Sequence, residues 1–254
     1  MFNIINCNYW FNYFLKIYVQ VTIIWFLLTW ILLAEEFSFN LSTKGISLGS
    51  FQMSSIEQGQ TYKISSLFES TGILGVFTRI KVVSGVHGKV LGNDNLDLRP
   101  IEVLSKWESL INKKQSRIRY KDNKITYYEV LPSPRKNPYS IDPFQLQDVI
   151  DPLTVTFWML KHRSFNQLCI GKKLVSEGQS VISVQFQNKK EIDGFIHCQG
   201  QFIFLKGFDP KKYIKTEYSF NLIYENSKQK NSNWSVKSMS FATRIGLIKA
   251  IRTR

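Results

Sequence analysis

The feature that most constrains the fold is an alternation of apolar and polar side chains along residues 216–224. Glu217, Ser219 and Asn221 are interleaved with an aromatic and aliphatic set, Tyr218, Phe220, Leu222 and Tyr224. Successive side chains of a strand point to opposite faces, so the pattern predicts a strand with one buried face. Shorter alternations recur at Tyr62, Ile64 and Phe68, at Val76, Thr78, Ile80 and Val82, and at Ile182, Val184 and Phe186. Strands with one solvated face are typical of antiparallel sheets.

Turn-forming residues separate these runs at hairpin spacing. They are Asp122-Asn123, Asp193-Gly194 and Gly207-Phe208-Asp209-Pro210. Such residues tolerate the backbone conformations of tight turns. The chain is therefore predicted to be mainly β, a curved antiparallel meander sheet or half-barrel.

One short helix is predicted near residues 152–163. Four prolines, Pro132, Pro134, Pro138 and Pro143, prevent a continuous strand before it. Asp151-Pro152 then offers an N-cap followed by proline at the first helical position. Leu153, Phe157 and Leu160 are expected to face inward. A strand is the competing interpretation, because Thr154, Val155 and Thr156 are β-branched.

The N-terminal segment has the layout of a secretory signal. Lys16 is the only charged residue among the first 34, and the uncharged run Val21–Ala34 follows it. That run is shorter than the roughly 20 apolar residues of a membrane-spanning helix. Cleavage after Ala34 is predicted, with an uncleaved anchor as the alternative, and residues 35–254 would then form a single exported β-rich domain in the periplasm or outside the cell.

The cysteines agree with export. Cys7 would leave with the signal, and Cys169 and Cys198 remain as an even pair. A disulfide between them would stabilise the fold by about 3–4 kcal/mol in the chain-entropy account. The alternative is a metal site of Cys169, His197 and Cys198, although adjacent residues of a strand point to opposite faces.

The chain is strongly basic, with 33 Lys and Arg against 19 Asp and Glu and a net charge of +14, which becomes +13 without Lys16. Such a surplus favours a lipid or an anionic membrane surface as partner. Scattered lysines are also what an ordinary solvated surface carries. Nucleic acid is not expected as a partner, since only Arg117, Arg119 and Tyr120 hint at it, and no cofactor is predicted.

Candidate catalytic residues do not form a known pattern. His87 lies between Gly85 and Gly88 and is interpreted as a turn residue, and His162 and His197 stand apart from it. Asp142, Asp148 and Asp151 could be imagined as a carboxylate set for glycan hydrolysis. Asp151 is better explained as a helix cap and the other two as loop residues, so no catalytic residue and no metal ligand is assigned.

Several short motifs together resemble a known family. They are Tyr62-Lys63-Ile64 leading to Thr71-Gly72-Ile73-Leu74, Arg99-Pro100, Asp151-Pro152-Leu153, Cys169, Ile192-Asp193-Gly194 with His197-Cys198, and Thr243-Arg244-Ile245-Gly246. In this combination the chain resembles the exported bacterial family called domain of unknown function 3108, in its alphaproteobacterial form. The stretch Lys172–Gln179 departs from that pattern. The resemblance implies an exported β-rich domain, a partner for Cys169 in Cys198, and no established activity.

These observations favour a non-enzymatic binding or envelope-maintenance protein. The aromatic alternation predicts that Tyr218, Phe220, Leu222 and Tyr224 contact an apolar or amphiphilic ligand such as a lipid, and Phe202, Phe204, Tyr127 and Tyr128 would extend that surface. The alternative for each aromatic residue is a filled core. An exported hydrolase, a secreted host-interaction factor and envelope protein partners are the other functions left open.

Overall fold

The computed structural model describes residues 34–253, apart from residues 93–95, 135–136, 227–232 and 244–245 and the side chain of residue 73. Ala34–Arg254 cluster as one compact unit. The predicted signal segment up to residue 33, with Cys7 and Lys16, lies outside the described residues and stays a prediction. In the described part of the chain, neither helix is long and apolar enough to cross a bilayer.

The described chain is mainly β, as predicted, and its strands form one sheet of 14 members. The strands are β1 (Ala34–Thr43), β2 (Ile46–Gln58), β3 (Thr61–Ser70), β4 (Lys81–Leu91), β5 (Asp97–Glu108), β6 (Lys113–Lys121), β7 (Lys124–Leu131), β8 (Val149–Ile150), β9 (Lys172–Ser176), β10 (Val181–Ile192), β11 (Phe195–Lys206), β12 (Glu217–Asn226), β13 (Trp234–Thr243) and β14 (Gly246–Arg252). The helices are α1 (Gly72–Thr78) and α2 (Pro152–Leu160), with 3-10 turns at Pro143–Gln145 and Phe165–Gln167.

The sheet is a meander that curls into a nearly closed barrel. Its order runs from β7 back to β1, then through β14 back to β8, and β8–β9 is the parallel pair. The two edges meet where Lys124 bridges Gln147 and where the Asp148 amide donates to the Asn123 carbonyl at 2.9 Å. Nearby, the Tyr128 ring lies against Gly178, where a Cβ would overlap it. Side-chain packing therefore completes the seam between the edges.

Helix α2 lies inside the barrel. Seven of its nine residues are buried and most of these are apolar, as expected for a helix in a protein interior. Tyr62 of β3 hydrogen-bonds the Thr154 hydroxyl at 3.1 Å, and the Tyr224 hydroxyl of β12 donates to the Met159 carbonyl at 2.6 Å. Two separate walls of the barrel thus hold the helix.

Most predicted elements are confirmed. Strands occupy the alternations at Tyr62–Phe68, Ile182–Phe186 and Tyr218–Tyr224, and turns occupy Asp122-Asn123 and Asp193-Gly194. Asp151 caps α2 as predicted and accepts hydrogen bonds from the amides of residues 153 and 154 at 2.9 Å. The helix ends at Leu160, three residues before the predicted limit.

Two local predictions are wrong. Val76 and Thr78 belong to helix α1, because Gly72 turns the chain with φ of 61° and the Thr78 hydroxyl closes a helical turn on the Leu74 carbonyl at 2.7 Å. His87 is not in a turn: it is an exposed residue within β4, paired with Lys63 and Glu102. A glycine on either side made the strand resemble a turn.

Candidate functional site

The barrel has two unlike ends, which follow from the direction of the meander. At the closed end lie the termini of the sheet, Ala34 and Arg252, and the segment after α2. At the open end lie α1, the β5–β6 turn, the β9–β10 turn and the loop 207–216 between β11 and β12. The register of paired strands fixes which side chains share the inner face with α2, so the two ends can be compared residue by residue.

The closed end is filled by apolar side chains and by the disulfide. Phe157 and Leu160 of α2 are 0% exposed, as are Ile196 and Cys198 on β11. Cys198 is bonded to Cys169, with 4.9 Å between their Cα atoms. The disulfide predicted from the cysteine count is therefore present and fits an oxidising compartment.

A group of ionisable side chains is packed into the same end. The Lys161 amine, 5% exposed, contacts Glu57 Oε1 at 2.6 Å, and His162 Nδ1 lies 3.8 Å from Glu35 Oε1. Burial raises the pKa of Glu35 from 4.5 to about 7, although Lys161 acts in the opposite direction. Burial also lowers the pKa of His162, with a smaller contribution from Arg252. Burial at this end therefore disfavours the charged forms of Glu35 and His162.

The inner face at the open end is aromatic and only partly covered. An apolar cavity of about 270 Å³ opens between β10, β11, β12 and β13. Its walls are Ile182, Phe202, Phe204, Tyr218 and Phe241 with the adjoining residues 242 and 243. Of these side chains Tyr218 is buried and the others are only partly buried. The surface is thus accessible and almost free of polar atoms.

The loop 207–216 folds over one side of this cavity. The Phe204 ring contacts the Phe208 ring edge-on at 4.6 Å between centroids and the Tyr213 ring at 5.4 Å. Phe208 and Tyr213 also contact each other at 4.9 Å. Mutual contacts among these three rings therefore fix the loop beside the cavity.

A second cavity, of about 490 Å³, faces the opposite wall. Inner side chains of β4 to β7 line it, and the start of α2 forms its floor with Asp151 and Leu153. It is more polar than the first, since Ser84 and Ser105 hydrogen-bond at 2.8 Å within it and Lys114 stands on its wall. Burial raises the pKa of Asp151, which already accepts three hydrogen bonds as a helix cap, so this carboxyl has a structural role.

The structure divides the four residues predicted to bind a ligand. Tyr218 lies on the wall of the apolar cavity. Phe220 is 5% exposed, because its ring occupies the space over Gly200 and packs against Phe202 at 4.8 Å. Leu222 and Tyr224 are buried beneath α2 and cannot be reached from the cavity. Ligand contact by Tyr218, Phe220, Leu222 and Tyr224 stays a prediction, and the burial of Leu222 and Tyr224 favours the filled-core alternative for those two.

The residues of the two other surfaces considered in the sequence lie on different faces of the sheet. Tyr128 lies on the inner face at the seam, whereas Tyr127 is on the outer face. The guanidinium carbon of Arg119 lies 5.2 Å from the centroid of the Tyr127 ring. Arg117 and Arg119 both contact Glu102 Oε1, at 2.8 and 2.7 Å, while Tyr120 is buried on the inner face. The Tyr120 ring and the two guanidinium groups therefore lie on opposite faces of β6, and the absence of a nucleic-acid partner stays a prediction.

The structure also places the residues of the metal alternative and of the carboxylate set. The disulfide uses both cysteines of the proposed metal site, and His197 points away from Cys198 as the strand period requires. Asp142 caps a 3-10 turn, and Asp148 is an exposed loop residue 3.5 Å from Arg99. Within the described part of the chain, no three His, Cys, Asp or Glu side chains are placed to hold a metal ion.

Sequence reasoning missed Ile182 and Phe241 as cavity residues. Ile182 lay in a recognised alternation, but nothing in the sequence shows that its strand forms the wall of an open end. Phe241 stands among Ser240, Ala242 and Thr243, so its alternation is weak. Cross-strand pairing of Phe241 with Phe220 brings it to the cavity, and pairing is a long-range property.

Comparison with known proteins finds a structural similarity but no sequence match. No family model and no curated protein matches the chain. A solved structure described as a beta-barrel-like protein of domain of unknown function DUF1849, from Brucella abortus, is similar with a TM-score of 0.44 and 10% identity. The match covers 87% of this chain and 95% of that chain. It does not confirm the resemblance to domain of unknown function 3108, and at this TM-score no function is carried over.

Proposed function

We propose that the protein is an exported, non-enzymatic binding protein that holds the apolar part of an amphiphile, such as an acyl chain, against the inner face at its open end. The observation that carries the proposal is the partly exposed aromatic wall around the 270 Å³ cavity. Exposed aromatic surface is costly in water, so its persistence on a concave face marks a place where a ligand can be buried.

The volume of the cavity limits the size of the ligand that it can hold. Small-molecule sites usually measure about 300–1,000 Å³, and this cavity of about 270 Å³ lies just below that range. One chain or one ring fits such a space better than a bulky molecule. The interior beyond it is occupied by α2 and its buried residues, so a ligand would lie across the open end and would not pass through the barrel.

A fluorescent fatty acid tests the proposal by titration into the purified full chain. Phe202→Asp places a charge on the cavity wall and should weaken binding at least about tenfold, because a buried carboxylate without a partner is costly. Leu104→Asp is the matched control, since Leu104 is 48% exposed on the outer face. Saturable binding lost in the first variant and kept in the second supports the proposal. Equal binding by both variants contradicts it.

Export and family membership belong to the same proposal. The segment Val21–Ala34 and the disulfide both favour an oxidising compartment outside the cytoplasm. The family motifs quoted above favour domain of unknown function 3108. A fusion of residues 1–36 to a reporter that is active only outside the cytoplasm should give signal, and a stable but silent fusion would contradict export.

A further inference from the structure

The open end carries the most exposed apolar side chains of the described residues. Ile214 is 89% exposed, Ile111 is 87%, Phe77 is 74% and Val76 is 69%. They lie on three different connections, namely the loop 207–216, the β5–β6 turn and helix α1. Side chains of this size rarely stay so exposed in a group without a partner.

Two of these connections are joined into one projection. The amide of Leu110 donates a hydrogen bond to the carbonyl of Thr78 at 3.1 Å, which ties the β5–β6 turn to the end of α1. Leu110 itself is 53% exposed. Val76, Phe77, Leu110 and Ile111 therefore form a fixed apolar tip, named here the rim tip. Ile214 stands on the loop that the contacting rings of Phe208 and Tyr213 fix beside the cavity.

Basic residues surround these apolar side chains. The connections 71–80, 109–112 and 207–216 contain Arg79, Lys211, Lys212 and Lys215 against a single acidic residue, Asp209. The neighbouring turns at the same end add Lys44 and Glu177. Exposed apolar tips among cations match the two layers of an anionic bilayer, which attracts roughly 1 kcal/mol per Lys or Arg at its surface and receives apolar side chains beneath the headgroups.

We propose that the open end of the barrel docks on an anionic phospholipid bilayer, with the rim tip and Ile214 inserted between headgroups and the surrounding cations on the phosphates. A bilayer fits better than a protein partner, because the apolar groups are separate projections, whereas a specific protein interface needs about 800 Å² of continuous surface on each side. This inference goes beyond ligand binding, since docking does not require an occupied cavity.

An environment-sensitive fluorophore at single positions tests the docking. The full chain with Cys7→Ser receives NBD at Ile111→Cys or Phe77→Cys, and at Ile192→Cys as the control. Ile192 is 47% exposed next to the β10–β11 turn at the closed end. Vesicles of phosphatidylcholine with one quarter phosphatidylglycerol should shift the emission of both rim labels to the blue and raise it severalfold, and should leave the control label unchanged. This readout is local, so attachment through the N-terminal segment does not produce it.

Charge dependence provides the second measurement. Arg79→Glu with Lys215→Glu should raise the vesicle concentration needed for half of the response by at least about tenfold, while Lys63→Glu with Lys190→Glu on the barrel wall should change it little. Salt at 1 M should also suppress the response, because screening then acts within about 3 Å. The proposal is overturned if the rim labels do not respond, if all three positions respond alike, or if pure phosphatidylcholine gives the same response. It is also overturned if the shift follows protein concentration without vesicles, since a second copy would then cover the rim.

Discussion

The closed and open ends of the barrel are built from the same strands but are packed differently. At the closed end, α2 fills the space between the walls, and Phe157, Leu160, Ile196 and Cys198 are fully buried. At the open end, the same strands continue with aromatic side chains such as Phe202 and Phe241 that remain partly exposed. The contrast shows that one continuous sheet can supply a core with one half of its inner face and an accessible surface with the other half.

The difference in packing between the two ends arises from the path of the segment that connects β7 to β9 and contains α2. The segment after β7 returns along the seam, enters the barrel at Asp151 and forms α2 there. The helix ends at Leu160, and the next residue, Lys161, contacts Glu57 at the closed end. The open end receives no such filling, and its inner aromatic side chains pack against one another and stay partly exposed.

The largest expected effect compares one phenylalanine from each end. Phe157→Ala removes a ring that is 0% exposed and should lower the free energy of unfolding by about 3–5 kcal/mol. Phe202→Ala removes a partly exposed ring and should cost about 1–2 kcal/mol, because this ring buries less apolar surface than the ring of Phe157. Urea denaturation measures both. Equal losses would mean that the open end is packed as tightly as the closed end.

The disulfide should stabilise the closed end nearly as strongly. Replacing Cys169 and Cys198 together by alanine opens a loop with 29 residues of sequence separation and should cost about 3–4 kcal/mol. Thermal denaturation with and without reductant measures the loss, and the reductant should have little effect on the double variant. Peptide mapping of the native protein that recovers both cysteines as free thiols would contradict the bond.

One part of the pH dependence of stability should originate at the closed end. Glu35 titrates near its ordinary value of 4.5 in the unfolded chain and at about 7 in the folded protein. The folded state therefore binds the extra proton, and the free energy of unfolding falls as pH rises from 4.5 to 7, by on the order of 2–3 kcal/mol in total.

His162 has the opposite sign in part of that range. Its pKa is lowered by burial, so its stabilising contribution is lost as pH falls below 6.5. Between pH 6.5 and 7.5 the decline due to Glu35 should dominate. Glu35→Gln should flatten the stability profile there and be more stable than the parent at pH 8. A parent profile already flat across this window would contradict the assignment.

The smallest expected difference, between two matched glycine variants, tests the seam that joins the two edges of the sheet. Gly178→Ala brings a methyl group into the Tyr128 ring, whereas Gly194→Ala, also at positive φ, meets open space. Both variants should lose about 1–2 kcal/mol from the backbone conformation, and Gly178→Ala should lose roughly 1–3 kcal/mol more from overlap. Chemical denaturation compares them, and equal stabilities would show that the ring does not pack at the seam.

The sequence predicted the local features of this fold well. The period of two at Tyr218–Tyr224, the turn at Asp193-Gly194 and the cap at Asp151 each depend on neighbouring residues. The faces of the strands were therefore correct, including the inward direction of all four aromatic and aliphatic residues of β12. Helix α1 was missed because its residues Val76 and Thr78 are spaced as in a strand.

The division between core and cavity was not predictable in the same way. Tyr218 and Tyr224 share one face of one strand, and only the position of α2 makes the second inaccessible. The rim tip was missed for a similar reason: Phe77 and Ile111 come from separate connections, which a bond between Leu110 and Thr78 brings together. Both features depend on contacts far apart in sequence.

The most direct test of the account is photolabelling with a fatty acid that carries a diazirine on its chain, followed by peptide mapping of the full protein. The account predicts that labels concentrate on Ile182, Phe202, Phe204, Tyr218 and Phe241 and are competed by unlabelled fatty acid. Labels confined to the outer face, or spread equally over Leu222 and Tyr224 beneath α2, would contradict the claim that the open end is the binding surface.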